Sequence, residues 1–397
     1  MRLTFLTHFP GRGGSTTVVC QLADFFRSHG HDVSIMVGAD CVEPVLHEYS
    51  VVPPASPWRK RITIYRSAIE QTKPDLVYSV SGKEEYDVLR FLGCPRVRHI
   101  SSLEQHEYVD IPYWLRQMDG YTEAITANTP DVLDQIGFLQ KQPGCKLIAP
   151  YRIAPVFFTV SEVSAEPHQS SEALQVCVVG RLEMFQKRVH WLPEVVAKCK
   201  AAGRRLQWHI YGSGPAEASL KDEVAKRGCQ TDVVFHGWMD SMALAQELPQ
   251  RDLCFFCSRW EGLPVAMVEA MLCGAACVAP TIPAGVTYVL QQGGGWMYQA
   301  NSATDAANAL LAATADRTLV CKKRVEAQTV ARALFNEQKV LVQLEELERQ
   351  LAGLRFNGRA LNLNHAGKMW PVPKAVAVKR RLMRCLRLLS GKRIPPR

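Results

Sequence analysis

The sequence predicts an α/β fold with two doubly wound units, each built on a parallel sheet. At 397 residues the chain is long enough for two domains. A pattern of apolar strand, glycine-containing loop and amphipathic helix begins at Leu3 and starts again at Leu174. The strands are nearly unbroken apolar runs, which is typical of parallel strands covered on both faces. A hydrophobic content of 47% with 21% charged residues indicates a globular chain.

The first unit opens with a strand, a helix and a second strand. The strands are predicted at residues 3–7 and 32–37. The helix begins at Ser15 or Thr16, since both residue types are good N-caps, and it stops at Gly30. Its apolar residues recur at helical spacing, so one face packs on the sheet.

A glycine-rich loop at residues 10–14 joins the first strand to this helix. Gly11, Gly13 and Thr16 match the dinucleotide-binding fingerprint only in part, so the match is weak. The loop can still place the backbone amides of Gly13 and Gly14 beside a ligand.

The rest of the first unit is predicted to hold a helix at 62–71 and strands at 74–80, 95–100, 124–127 and 145–149. Glu104, His106 and Glu107 follow the strand at 95–100, at the edge where α/β proteins usually bind ligands. A solvated loop is the alternative interpretation of this cluster. The unit ends at residue 158, and the polar stretch 159–173 reads as a linker.

The second unit, residues 174–335, repeats the alternation of strands and helices. Strands are predicted at 174–179, 206–211, 232–236, 252–258 and 275–279. This alternation implies a parallel sheet with right-handed crossovers. Apolar residues at helical spacing then predict a closing helix at 336–352.

Residues 252–274 combine a strand, a tight loop and a helix, and Pro264 is predicted to lie in the first turn of this helix. Unpaired amides at a helix N-terminus bind phosphate readily. Glu261 lies in the loop and Glu269 in the helix, a helical rise of roughly 7–8 Å after Pro264. Carboxylates accept hydrogen bonds from hydroxyls, so the two glutamates suit a diphosphate with a polyol at each end. Two surface glutamates on an ordinary α/β unit are the alternative.

Two cations are predicted to lie at the same sheet edge. Arg181 and Lys187 follow the first strand of the second unit, and Glu261 follows its fourth. Guanidinium and ammonium groups are natural partners for a diphosphate. A solvated charged loop is the alternative, and the shared edge argues against it.

The 13 cysteines indicate reduced thiols. An odd count, with no N-terminal stretch that reads as a signal peptide and no apolar run long enough to span a membrane, favours a cytoplasmic protein. Cys254 and Cys257 form a C-x-x-C pair, but they lie in a predicted buried strand and are interpreted as core residues.

The sequence resembles retaining glycosyltransferases of family 4. Glu261-x7-Glu269 is similar to the E-x7-E signature of that family. Companion motifs follow the family order, and they are Gly180-Arg-Leu with Lys187, Gly212-Ser-Gly-Pro215 and Val234-Phe-His-Gly237. The resemblance covers residues 1–350.

This resemblance implies a GT-B fold, in which two Rossmann-like domains face each other across a cleft. It also implies that the first domain binds the acceptor and the second the nucleotide-sugar. By resemblance, Arg181 and Lys187 bind the diphosphate. Glu261 contacts the donor sugar beside Gly262, Leu263 and Pro264, Glu269 holds the ribose, and His106 lies near the donor sugar. The Gly13-Gly14 loop also fits the family, and both glycines are expected to bind the donor.

No metal or other cofactor is expected. The chain contains no Asp-x-Asp motif, so we expect Arg181, Lys187 and the helix N-terminus to stabilise the departing diphosphate. The resemblance implies retention by front-face attack, with the leaving phosphate helping to deprotonate the acceptor.

The C-terminal segment, 353–397, is predicted to be a basic amphipathic tail. Residues 355–397 hold 12 Lys or Arg and no Asp or Glu, whereas the rest of the chain holds 35 basic and 38 acidic residues. Residues 374–390 place leucine and valine on one helical face, which suits an anionic membrane surface. A solvated tail and a helix docked on the body are the alternatives. Nucleic-acid binding is not expected.

We therefore expect a glycosyltransferase that moves a sugar, typically a hexose, from a UDP- or GDP-sugar to a glycan or lipid-linked acceptor. A role in lipopolysaccharide or envelope-polysaccharide synthesis, at the inner face of the cytoplasmic membrane, would suit the basic tail. Two alternatives stay open at this point. One is a GT-B epimerase of nucleotide-sugars, and the other is a catalytically silent scaffold at the membrane.

Overall fold

The computed structural model describes residues 1–100, 121–134, 151–152, 172–282 and 285–362, apart from positions 9, 12, 40–43, 45, 47 and 56. The predicted linker up to residue 171, the cluster around His106 and the basic tail from residue 363 lie outside the described residues. In the described part of the chain, no helix is both long and apolar enough to cross a membrane.

In the described part of the first unit, seven parallel strands form a sheet in the order β3-β2-β1-β4-β5-β6-β7. They are β1 (Arg2–Thr7), β2 (Asp32–Val37), β3 (Tyr49–Val51), β4 (Leu76–Ser79), β5 (Arg96–Ile100), β6 (Ala124–Ala127) and β7 (Tyr151–Arg152). The helices α1 (Gly14–Ser28), α2 (Trp58–Gln71) and α3 (Lys83–Asp87) follow β1, β3 and β4. The strand order reverses between β1 and β4, which makes that pair the switch point of the sheet.

The first unit differs from the prediction at its loops and helix starts. The strand β3 was not predicted, and α2 begins at Trp58 rather than at residue 62. The N-cap prediction at Ser15 or Thr16 is wrong, because Gly13 occupies that position in an extended conformation. The Thr16 hydroxyl instead donates to the Gly11 carbonyl at 2.6 Å, inside the first turn. The strand predicted at 145–149 lies outside the described residues.

Six parallel strands form the second sheet, in the order β10-β9-β8-β11-β12-β13. They are β8 (Leu174–Val179), β9 (Leu206–Tyr211), β10 (Val233–Gly237), β11 (Leu253–Phe255), β12 (Ala276–Pro280) and β13 (Gly295–Tyr298). Its switch point lies between β8 and β11. The strand β11 is shorter than the predicted 252–258, and β13 was not predicted.

Seven helices of the described chain flank the second sheet. They are α4 (Leu192–Ala201), α5 (Glu217–Lys226), α6 (Ser241–Glu247), α7 (Val265–Leu272), α8 (Gly285–Leu290), α9 (Ala303–Ala313) and α10 (Arg317–Phe335). Single 3₁₀ turns occur at Val88–Phe91, Val189–Trp191 and Leu248–Gln250. Gly274 follows α7 with φ 82°, a left-handed conformation that suits glycine at a helix end.

The helix α11 (Glu337–Gly353) connects the second unit to the first. Its buried face carries Val340, Leu344, Leu347 and Leu351. Glu348 Oε1 lies 2.6 Å from Nε2 of His31, which follows α1. Beyond the helix, Leu361 lies on the first unit, where its amide donates to the Arg90 carbonyl at 2.7 Å.

A buried ion pair fixes both ends of the stretch from Asp252 to Gly274. Arg324 of α10 donates from Nη1 to Asp252 Oδ1 at 2.8 Å, and from Nε to the Gly274 carbonyl at 3.0 Å. Asp252 also accepts a bond from the backbone amide of Gln175 at 2.8 Å, at the start of β8. The loop between β11 and α7 is therefore held at a defined place beside β8.

Candidate functional site

The candidate site lies at the switch point of the second sheet, where the loops after β8 and β11 meet. The residues of both strand ends line a small pocket, with Gly180, Arg181 and Lys187 on one side and Ser258 on the other. Ligands of doubly wound sheets bind at such a crevice, outside the carboxyl ends of the strands. The position agrees with the shared edge that the sequence predicted.

Lys187 and Glu261 form an ion pair across this crevice. Lys187 Nζ lies 2.6 Å from Glu261 Oε1, and the Ser258 hydroxyl donates to the same oxygen at 2.6 Å. The Glu261 side chain is 7% exposed and that of Lys187 is 22% exposed. The carboxylate is thus held by one charged and one neutral donor, while the ammonium group keeps contact with solvent.

The loop that carries Lys187 is held by a carboxylate that the sequence analysis did not identify. Glu183 accepts hydrogen bonds from the backbone amides of Phe185, Gln186 and Lys187, at 2.8, 2.7 and 2.6 Å. Side chains that bond to nearby backbone amides are common in tight loops, but their partners cannot be read from spacing alone. Glu183 therefore fixes the backbone from which the Lys187 ammonium reaches Glu261.

One backbone and one side-chain hydrogen bond join the loops of β8 and β11. The Arg259 amide donates to the Gln186 carbonyl at 2.7 Å, and Gln186 Nε2 donates to the Trp260 carbonyl at 3.2 Å. Arg181 is exposed, and its guanidinium lies 3.5 Å from Gln186 Oε1. The structure thus brings both predicted cations to the crevice, with Lys187 against Glu261 and Arg181 beside Gln186.

Gly262, Leu263 and Pro264 are buried and lead into α7. Pro264 is the N-cap of this helix rather than part of its first turn. The start of α8 packs directly on this loop, since a Cβ atom at Gly285 would overlap the Gly262 carbonyl. Only glycine fits at residue 285 without moving the loop. The helix α7 begins four residues after Glu261, and the dipole at its N-terminus favours an anion.

Glu269 lies inside α7 and is 7% exposed. Burial raises the pKa of its carboxyl group, and a hydrogen bond from the Ser241 hydroxyl, 2.7 Å away, partly offsets this shift. Ser241 is the first residue of α6, whose N-cap is Asp240. The sequence analysis did not identify Ser241. Its position after a capping aspartate was the one available signal, and that signal predicts a helix start rather than a partner for Glu269.

The remaining predicted site residues belong to the first unit. The Gly13 carbonyl accepts the Thr17 amide at 3.0 Å at the start of α1. A Cβ atom at Gly13 or Gly14 would meet no described atom within 4 Å, so this loop leaves space beside its backbone. His106 lies outside the described residues.

The predicted core role of the cysteines agrees with the structure. Cys254 and Cys257 are buried and unpaired. Burial raises the pKa of the Cys257 thiol to about 12, so this thiol is neutral at physiological pH.

The assembled groups suit a ligand with a charged centre and hydroxyls at both ends. Lys187, Arg181 and the N-terminus of α7 can bind an anion. Glu261 and Glu269 can accept hydrogen bonds from hydroxyl groups on either side of it.

Comparison with solved structures shows the GT-B fold. Sucrose-phosphate synthase from Thermosynechococcus elongatus superimposes with a TM-score of 0.69 at 18% identity, covering 88% of this chain and 99% of that protein. HepE from Anabaena, in complex with UDP and glucose, gives a TM-score of 0.68 at 18% identity and covers 89% and 100%. The predicted fold is therefore confirmed.

Sequence comparison points in the same direction. The chain is 23% identical, over 239 residues, to lipopolysaccharide 1,6-galactosyltransferase of Salmonella typhimurium. The match covers 59% of this chain and 64% of the relative, which is less than two thirds of its length. Residues 173–316, which contain Lys187, Glu261 and Glu269, match the protein family described as Glycosyl transferases group 1.

Proposed function

We propose that the protein is a retaining, metal-independent glycosyltransferase of family 4 that uses a nucleotide-sugar donor. The observation that carries this proposal is the contact of Lys187 with Glu261 at the N-terminus of α7, with Glu269 buried in the same helix. The match of residues 173–316 to the Glycosyl transferases group 1 family supports it.

Lys187 exchanges its partner when the donor binds. Without a ligand, the ammonium group neutralises Glu261 at 2.6 Å. A diphosphate carries more negative charge than a carboxylate and would draw Lys187 and Arg181 toward it. Charge that develops on the leaving phosphate would then be stabilised by two cations and the dipole of α7.

Glu261 then becomes available to the donor sugar. The Ser258 hydroxyl keeps one carboxylate oxygen in place at 2.6 Å, so the group does not have to be repositioned. Its oxygens accept hydrogen bonds from sugar hydroxyls. Glu269 performs the equivalent role for the ribose, whose hydroxyls would join or replace the Ser241 hydroxyl as donors to this buried carboxylate.

A UDP-sugar is the favoured donor, because the similar fold of HepE is known in complex with UDP and glucose. The acceptor is a glycan or lipid-linked glycan of lipopolysaccharide or another envelope polysaccharide. The similarity to a lipopolysaccharide galactosyltransferase supports this choice. The basic tail would hold the enzyme at the inner face of the cytoplasmic membrane, close to such an acceptor.

The test uses the full-length protein with a panel of UDP- and GDP-sugars and deacylated lipopolysaccharide core oligosaccharides, with and without EDTA. We expect release of nucleoside diphosphate that depends on added acceptor, is unchanged by EDTA, and yields a product whose anomeric configuration matches the donor. Conversion of the donor without any acceptor would favour an epimerase. Loss of activity in EDTA, or an inverted product, would refute the metal-independent or the retaining part of the proposal.

A further inference from the structure

A second polar pair lies at the switch point of the first sheet, and neither of its two residues belongs to the proposed donor site. The pair consists of His8, directly after β1, and Glu85, in α3 after β4. The second sheet has its ion pair at the corresponding positions, with Lys187 after β8 and Glu261 after β11. Each unit therefore places a nitrogen-containing side chain and a buried carboxylate at equivalent points. The nitrogen belongs to an imidazole in the first unit and to an ammonium group in the second.

Glu85 is completely buried. The Tyr65 hydroxyl donates to its Oε1 atom. A Cβ atom at Gly38 or at Gly82 would overlap the carboxylate, and Gly82 has φ 100°, so both glycines make room for this side chain. The backbone around Glu85 is thus shaped to accept a buried carboxyl group.

The other oxygen of this carboxyl group, Oε2, has no hydrogen-bond partner among the described residues. A buried charged or polar group with an unmet hydrogen-bonding capacity is costly, and such groups concentrate where function requires them. Packing alone does not explain Glu85, since an apolar side chain of similar size would avoid that cost.

His8 is the group through which this carboxylate can act at the surface. Its Nδ1 atom lies 3.5 Å from Glu85 Oε1, and its side chain is 55% exposed. The backbone of His8 is fixed on both sides, since its amide donates to the Ser81 hydroxyl at 3.3 Å and its carbonyl accepts the Ala39 amide at 2.9 Å. One edge of the imidazole faces a buried carboxylate while the ring remains accessible to a ligand.

We propose that His8 binds a hydroxyl group of the sugar acceptor, and that Glu85 is a positioning residue that orients the imidazole. A carboxylate behind a histidine fixes its tautomer and raises its basicity, so that the opposite nitrogen can accept a proton or a hydrogen bond. The 3.5 Å distance is longer than a hydrogen bond, and such contacts often tighten only when the substrate is bound.

Charge and position favour the acceptor over the donor as the ligand of His8. The proposed donor groups Lys187, Glu261 and Glu269 all belong to the second unit. An imidazole can both donate to and accept from a hydroxyl, and the buried carboxylate behind it disfavours a diphosphate at the same point. This inference rests on the proposed glycosyltransferase activity, since it names the group that holds the acceptor.

The test compares His8→Ala and Glu85→Gln with the matched variants His29→Ala and Glu70→Gln, which change exposed residues of the same unit. Transfer from UDP-glucose, or from whichever donor the wild type uses, is measured against increasing concentrations of deacylated core oligosaccharide. We expect at least a tenfold higher KM for the acceptor in His8→Ala and a smaller rise in Glu85→Gln. The Kd for UDP should change less than twofold, and both control variants should match the wild type.

A second measurement separates positioning from a purely structural role. Histidine-selective ¹⁵N NMR of the full-length protein should show a changed tautomer ratio and a lower pKa for His8 in Glu85→Gln, together with a His8 shift when core oligosaccharide is added to the wild type. An unchanged acceptor KM in His8→Ala, or an unchanged His8 signal in Glu85→Gln, would overturn the inference. If the wild type transfers no sugar, the proposed function fails. The NMR titration with core oligosaccharide then still tests the role of His8. A His8 signal that does not shift would refute acceptor binding at this residue.

Discussion

Replacing Lys187 with methionine tests whether the contact with Glu261 serves catalysis, stability or both. Methionine keeps much of the length of lysine but removes the charge, and it leaves Glu261 with the Ser258 hydroxyl as its remaining donor at 2.6 Å. Since the Glu261 side chain is only 7% exposed, its lost bond to the ammonium group should cost about 1.5–3 kcal/mol of stability. Losing a preorganised donor to the leaving group should lower kcat by roughly 10²–10³-fold.

The double variant Lys187→Met, Glu261→Gln separates the two effects. Glutamine removes the unpaired charge and keeps an oxygen that can accept the Ser258 hydroxyl, so most of the lost stability should return. Activity should stay low, because neither the cation for the diphosphate nor the carboxylate for the sugar is restored.

Urea unfolding followed by circular dichroism gives the stability of each variant, and nucleoside diphosphate release gives its activity. Lys221→Met is the matched control, since Lys221 lies 2.8 Å from Glu217 in an exposed pair one helical turn apart. Such a pair contributes at most about 1 kcal/mol. Wild-type turnover in Lys187→Met would refute the catalytic role, and a double variant that regains both properties would refute the assignment of separate functions.

Three further predictions follow from buried or charged groups. Burial raises the pKa of Glu269, so the wild type should lose stability as pH rises from about 4.5 through the raised pKa, and Glu269→Gln should not. Thermal unfolding between pH 4 and pH 8 measures this, and parallel curves for the two proteins would contradict it. Arg324→Ala leaves Asp252 buried without its charged partner and should destabilise the protein by about 3–5 kcal/mol, as measured by urea unfolding. A value below about 1 kcal/mol would mean that the pair does not fix the loop between β11 and α7. Deletion of residues 371–397 should abolish sedimentation with vesicles of anionic lipid and leave the KM for soluble donor unchanged, and binding that persists would remove the role of the tail.

The sequence predicted the position of the candidate site better than the contacts within it. Arg181, Lys187 and Glu261 could be placed at one edge because the carboxyl ends of parallel strands lie on the same side of a sheet. The contacts of Ser258 and Glu183 depend on the conformations of two loops, and a spacing pattern carries no information about those conformations. Ser241 lies on another helix, so its contact with Glu269 is a tertiary feature.

The errors in the fold have local causes. The strand β3 has three residues, Tyr49–Val51, which is too short for an alternating pattern to be recognised. The strand β13 begins at Gly295, whose missing side chain allows the close approach of the Cys277 carbonyl. Glycine normally indicates a turn, so the sequence pattern pointed away from a strand at this position.

In the proposed assignment, the two switch points separate two ligands within one architecture. In each unit the loop after the first strand supplies a nitrogen group, and the segment after the fourth strand supplies a buried carboxylate. The pair is His8 with Glu85 in the first unit and Lys187 with Glu261 in the second. An ammonium group stays charged at neutral pH and suits a diphosphate, whereas an imidazole is largely neutral there and suits a hydroxyl. We therefore expect His8→Lys to weaken acceptor binding and to leave donor binding in the second unit unchanged. The new ammonium group would form an ion pair with Glu85, as Lys187 does with Glu261. Lysine would also lack the hydrogen-bond acceptor that the imidazole offers to the sugar.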